Sequence, residues 1–263
     1  MNADEVREES RARETETLEA PAVELAAHWN AEGASGTQIP ESSGYGKPAL
    51  ALSAEGAQLA EGDDGKELRL DGVKGYAQAT GPVIDETGSF TVSARVRLDS
   101  AKLAALPVGS RAHVLGQATP SGVESSWALW AEKTSEETYR WRFGRTATDA
   151  TGKVLHTTWA SSQEPAELDT WVQVTGAYDH AEEAETGYGN LRLYLSAASE
   201  ASPENTSFTA PTQGAGTLAA GRGSAKGATG HYLPGAVADL RVWTGAMIAD
   251  QINTRVLGNP GDV

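Results

Sequence analysis

The chain has 263 residues, no cysteine and a formal net charge of −15. Disulfides and thiolate metal sites are excluded, and an acidic chain with no basic stripe argues against a nucleic-acid partner. No apolar run approaches the roughly 20 residues of a membrane-spanning helix, and the opening segment lacks the apolar core of a signal peptide.

Residues 1–22 mix Glu, Arg and Thr, with Leu18 nearly alone as a bulky apolar group. They read as an arm, either a solvated helix or a linker, that ends at Pro21. Residues 23–263 read as one domain. Residues 89–98 alternate strictly, with Phe90, Val92, Ala94, Val96 and Leu98 between polar neighbours, which predicts a strand with one buried face. Residues 127–132 follow as another strand, then Tyr139-Arg140-Trp141-Arg142-Phe143, with aromatics inward and arginines outward. Residues 154–159, 171–178 and 190–195 add three more, the last with leucines inward. Residues 236–243 close the series with Ala238, Leu240 and Val242 on one face. Turn-forming clusters such as Thr119-Pro120-Ser121-Gly122 separate these runs. Helical spacing is confined to residues 247–257, where Ile248, Ile252 and Val256 share a face before Asn259-Pro260. The pattern predicts an all-β sandwich or barrel.

Four stretches, in order, resemble the LamG-like jelly-roll domains of the concanavalin A-like lectin/glucanase superfamily. Leu68-Arg69-Leu70-Asp71-Gly72 with Gly75-Tyr76-Ala77 is similar to their F-D-G-x-D-D-Y opening, and residues 85–96 to their G-S-F-T-V-S-A-W-V strand. Trp171-Val172-Gln173-Val174-Thr175-Gly176-Ala177-Tyr178-Asp179 resembles W-x-H-V-A-G-T-Y-D, with Leu191-Arg192-Leu193-Tyr194-Leu195 as its partner. Residues 234–243 resemble F-x-G-x-I-D-E-V-R-I-Y, followed by the short helix that closes these domains. The resemblance implies a jelly-roll sandwich of two antiparallel sheets with one short C-terminal helix. The chain departs from the pattern at Ser196-Ala197-Ala198-Ser199, where an Asp-Gly turn is usual, and at His28-Trp29-Asn30-Ala31-Glu32-Gly33, where an acidic L-D-E-G is usual.

Glucan-cleaving relatives carry an E-x-D-x-E strand that sets carboxylates on one face. This chain has none. Its densest acidic group, Glu182, Glu183 and Glu185, reads as a solvated loop, and the five scattered histidines have no paired metal-ligand spacing. No G-x-S-x-G elbow is present, so the expectation is a non-catalytic protein. The resemblance implies a structural calcium at Asp239, with Asp71 a weaker second; an arginine partner or a turn cap accounts for Asp239 equally simply. Parity places Trp130, Arg140, Arg142, Gln173, Arg192 and Tyr194 on outer sheet faces. There they suit a glycan, including an anionic one, or else form a solvated arginine face. Asn205-Thr206-Ser207 fits a glycosylation sequon and is given no role. The expected function is a carbohydrate- or surface-recognition module of a larger secreted or surface protein, whose partner is a glycan or cell-surface polymer. The alternative is a structural, assembly or decoration protein with a protein partner.

Overall fold

A computed structural model describes residues 22–149, 151, 153–180, 190–196, 198–201, 216–225 and 227–258. The opening arm up to residue 21, the acidic group at 182–185 and the sequon at Asn205 lie outside the described residues. The first half comprises β1 (Glu24–Trp29), β2 (Gln38–Ile39), β3 (Leu50–Leu52), β4 (Ala57–Gly62), β5 (Gly65–Asp71), β6 (Ala77–Gln78) and β7 (Phe90–Leu98), then α1 (Ser100–Ala104). Next come β8 (Arg111–Ala118), β9 (Ser125–Ser135), β10 (Thr138–Thr148), β11 (Val154–Ser161), β12 (Trp171–Asp179), β13 (Asn190–Leu195) and β14 (Ala198–Ala201). The last part holds β15 (Leu218–Ala220), β16 (Gly223–Ala225), β17 (Ala228–Gly230), β18 (Pro234–Thr244) and α2 (Ala249–Ile252), which runs into a π-helical turn, Asn253–Leu257.

Two antiparallel sheets face each other, as the alternation requires. The first runs β14-β13-β12-β7-β18-β5-β4, with β1 also paired to β18; the second runs β11-β10-β9-β8-β15-β6-β3-β2. Between them lie the alternating residues of β7, all fully buried, and the aromatic centre of the core. The Phe90 ring stands 5.5 Å from Trp127, 5.7 Å from Tyr178 and, edge-on, 6.0 Å from Phe143. Each such buried side chain contributes about 1.5–3 kcal/mol of transfer free energy. Glycine at 176 lets the sheets close: a Cβ there would lie 2.3 Å from the Phe143 ring. The all-β jelly-roll expectation is met.

Two details differ from simple alternation. In β18 the register against β7 shifts between Ala238 and Leu240, leaving Asp239 as an extra residue with φ of 34°. An inserted residue reverses parity. Val237 therefore joins Leu240 and Val242 in the core, while Ala238 pairs with Arg95 on the outer side, against the expected grouping. The closing helix also does more than end the chain. It lays Met247, Ile252 and Val256 over Ala177, Tyr194 and Trp243, forming a second apolar cluster on the outer face of the first sheet.

Candidate functional site

The outer face of the second sheet is built by β8, β9, β10 and β11. Along β9, Trp127, Leu129 and Ala131 enter the core, so Ala128, Trp130 and Glu132 point away from it. Register then fixes their neighbours. Trp130 lies between Arg142 of β10 and His113 of β8, and Glu132 lies between Arg140 and Arg111. The next row is small, Gly144–Ala128–Gly116–Ala219, and leads to Trp159 of β11 beside Gly144. A Cβ at Gly144 would lie 2.9 Å from both the Trp130 ring and Trp159 Cβ, so the absent side chain lets the Trp130 ring settle against β10 beside Trp159.

Glu132 is the one acidic member of this group. Its Oε2 accepts from Trp130 Nε1 at 3.2 Å and lies 3.3 Å from Arg142 Nε and 3.6 Å from Arg111 Nε. The Arg142 guanidinium covers the Trp159 ring at 5.3 Å and that of Arg111 covers the Trp130 ring at 5.2 Å. Burial pushes Arg142 below its ordinary value; Glu132 opposes the shift, and the charges of Arg111 and Arg140 add to it. A guanidinium nevertheless stays charged. Trp159 keeps 37 % of its surface exposed, whereas Trp130 keeps 2 %.

The hairpin β16–β17 folds across this face over β8 and β9. Its first residue sits against His113, where a Cβ on Gly223 would come 1.8 Å from Nδ1. The Ser224 N–H donates to Ser125 Oγ at 3.0 Å, and the Gly227 N–H donates to Glu124 Oε1 at 2.7 Å. His113 is thereby sealed between the hairpin and Trp130, with which it stacks at 5.8 Å and 14°. Neither ring nitrogen has a hydrogen-bond partner. Burial holds the imidazole well below its usual range, and the charges of His231 and Arg111 push the same way, so it is neutral. On the far side of the hairpin, a hollow of about 230 Å³ opens over Gly116 and Ala219 beside Arg222, Thr119 and Ser121.

The six residues expected on outer faces are all on outer faces, but not on the same one. Trp130, Arg140 and Arg142 belong to the second sheet; Gln173, Arg192 and Tyr194 belong to the first. Tyr194 is 3 % exposed because α2 covers it, so it offers no stacking surface. Trp130 is likewise buried, beneath Arg111 and His113. Arg140 Nη1 donates to the carbonyl oxygens of Ser162 and Gln163, Gln173 Nε2 donates to Ser93 Oγ at 2.7 Å, and Arg192 pairs with Asp179 at 2.9 Å. Trp159 and Arg111 were not among the expected residues. Trp159 is the second-sheet aromatic that remains open, and only the β10–β11 register reveals that it neighbours Arg142.

The carboxylates expected to hold calcium are engaged by protein donors. Asp239 Oδ1 lies 2.7 Å from His28 Nε2 and accepts from Arg241 Nε at 2.9 Å, while Oδ2 lies 2.8 Å from Arg241 Nη2. His28 stands where an acidic residue is usual in similar domains, and with Arg241 it turns the Asp239 bulge into a hydrogen-bonded hub. Asp71 Oδ1 accepts backbone N–H groups of Val73, Lys74 and Gly75 at 2.8–2.9 Å and closes a turn. Calcium takes six to eight oxygen ligands; at either carboxylate it would have to displace these nitrogen donors. Among the described residues, no group of three or more His, Asp or Glu converges.

Solved structures share the architecture. Domain 4 of AbnA, a GH43 extracellular arabinanase from Geobacillus stearothermophilus, solved with arabinotriose, is 14 % identical with a TM-score of 0.56, covering 88 % of this chain and 97 % of that one. The botulinum neurotoxin type G receptor-binding domain is 12 % identical with a TM-score of 0.59, over 88 % of this chain and 50 % of that one. A Trypanosoma rangeli sialidase is 17 % identical with a TM-score of 0.58, and this chain spans 32 % of its length. No curated protein matches the chain. At these identities the solved structures speak for the fold alone. The family model described as the concanavalin A-like lectin/glucanases superfamily matches residues 71–253, most of the chain, and on that match, with two facing antiparallel sheets beneath it, the protein belongs to that superfamily.

Proposed function

We propose that the chain is a non-catalytic saccharide-recognition module that binds through the outer face of its second sheet. One observation carries the reading: Trp159, 37 % exposed, stands on this outer face beside Gly144 with the Arg142 guanidinium against its ring. An open indole offers the flat apolar face that a sugar ring stacks on, and a guanidinium fork supplies directional donors for its oxygens. Glu132 is committed to Trp130 and the two arginines, which suits a positioning role better than proton transfer. The arabinanase domain, solved with arabinotriose, is a precedent on the same fold. The partner is then a glycan or cell-surface polymer, and the chain serves a larger secreted or surface-attached protein. A glycan array probed with the chain and with Trp159→Ala tests this: binding to a defined glycan class, lost in the variant, is expected. An array on which neither protein binds any class overturns it.

A further inference from the structure

We infer that the saccharide this face takes carries an acid group, a carboxylate or a sulfate, and that Arg142 and Arg111 receive it. The inference rests on the saccharide reading above. Glu132 is paired with the guanidiniums of Arg111 and Arg142, and Arg140 lies across from it in the register, so one carboxylate sits among three cationic side chains in a chain whose net charge is −15. Two of the three are not otherwise satisfied. Arg140 is tied to the Ser162 and Gln163 carbonyls, but Arg142 and Arg111 come nearest Glu132 through Nε, at 3.3 and 3.6 Å, and both Nε atoms are buried without a hydrogen-bond partner.

Other arginines set the contrast. Arg97, Arg192 and Arg222 each donate an Nη group to a side-chain oxygen, at 2.8, 2.9 and 2.9 Å. Arg241 and Arg255 donate theirs to carbonyl oxygens at 3.0 and 2.8 Å. Arg111 and Arg142 are only 14 % exposed and make no hydrogen bond among the described residues. The buried Nε atoms carry a desolvation cost, while the Nη groups of both residues are left without a protein acceptor among the described residues and can give charge-assisted bonds to an oxyanion. Low exposure strengthens the attraction because solvent screens it less.

The surroundings favour an acid group attached to a sugar over a free ion. Trp159 lies against the same guanidinium, so a ring stacked there sets a substituent beside Arg142. The sealed hairpin walls the other side over β8 and β9.

Calorimetric titration of the full chain with a glucuronate-containing disaccharide, its sulfated counterpart and its neutral glucose counterpart tests the inference. The expected result is binding of an acidic ligand about ten-fold or more tighter than the neutral one, a difference that salt reduces. The tighter of the two acids identifies the group. Arg142→Gln is expected to remove the preference, and Arg142→Lys, which keeps the charge without the fork, to retain part of it. Equal affinity for acidic and neutral ligands in the wild-type chain overturns the inference while leaving the saccharide reading in place. Absence of all binding overturns both.

Discussion

Asp239→Ala removes the hub that ties both ends of the domain to the first sheet. The carboxylate is paired at 2.7–2.9 Å with His28 on β1 and Arg241 on β18, and Arg241 Nη1 donates to the Arg255 carbonyl beyond α2. Arg255 Nη1 in turn donates to the carbonyl of Val23, just ahead of β1. Side-chain exposure is 20 % for Asp239 and 13 % for Arg241. Removing one partner of a fully buried pair costs 3–5 kcal/mol; discounting for this partial solvent contact gives about 2–3 kcal/mol. In a domain of this size that lowers Tm by roughly 4–12 °C. The assay is urea unfolding of the wild type, Asp239→Ala, Arg241→Ala and the double variant, with a coupling energy of about 1 kcal/mol or more expected. The pH dependence has a definite sign. Burial pushes the Asp239 carboxyl up, but the His28 hydrogen bond and the Arg241 charge outweigh it, leaving it below 3.8. A depressed carboxyl stabilises the fold above its unfolded value and stops doing so as pH falls through the folded one. The gap between wild type and variant should therefore close below 3.8. A loss under about 0.5 kcal/mol, the range of an exposed pair, or a gap that persists at strongly acid pH, would refute the reasoning.

Tyr194→Ala, opening a hole under α2, should cost about 3 kcal/mol and speed amide exchange in the closing helix while leaving saccharide binding unchanged; lost binding would move the site to the first sheet. Gly223→Ala drives a methyl into His113 and should cost about 1–3 kcal/mol, read as lost exchange protection in β16–β17; full retention of that protection counts against a sealed hairpin. Trp130→Ala should destabilise by about 3–5 kcal/mol, and Trp130→Phe should restore most of both stability and binding, because the ring supports Arg111 and His113 without touching the ligand. A Trp130→Phe protein that folds normally but binds nothing would contradict that division of labour.

The alternation in β7, β9, β10 and β13 is strong enough to be read from residues alone, because one face of each must be buried. It correctly turned Trp130, Arg142 and Tyr194 away from the core. What alternation does not say is whether an outward face stays open. Tyr194 is capped by a helix whose docking depends on Trp243 and Met247, far away in sequence. Trp130 is capped by residues of β8, a strand whose pattern is obscured by a register shift between His113 and Leu115. A second bulge, at Asp239, reversed the faces of β18 halfway along. Which outward residues share a surface depends on strand order, which a list of strands does not contain. Thus Arg142 and Trp159 meet, while Gln173 and Arg192 lie on the other sheet.

A crystal structure of the chain with its best-binding saccharide tests the central claim most directly. A sugar ring lying on the Trp159 indole, with an oxygen within hydrogen-bonding distance of Arg142, is the predicted result. Density for the ligand on the first sheet, near Gln173 and Arg192, would contradict it.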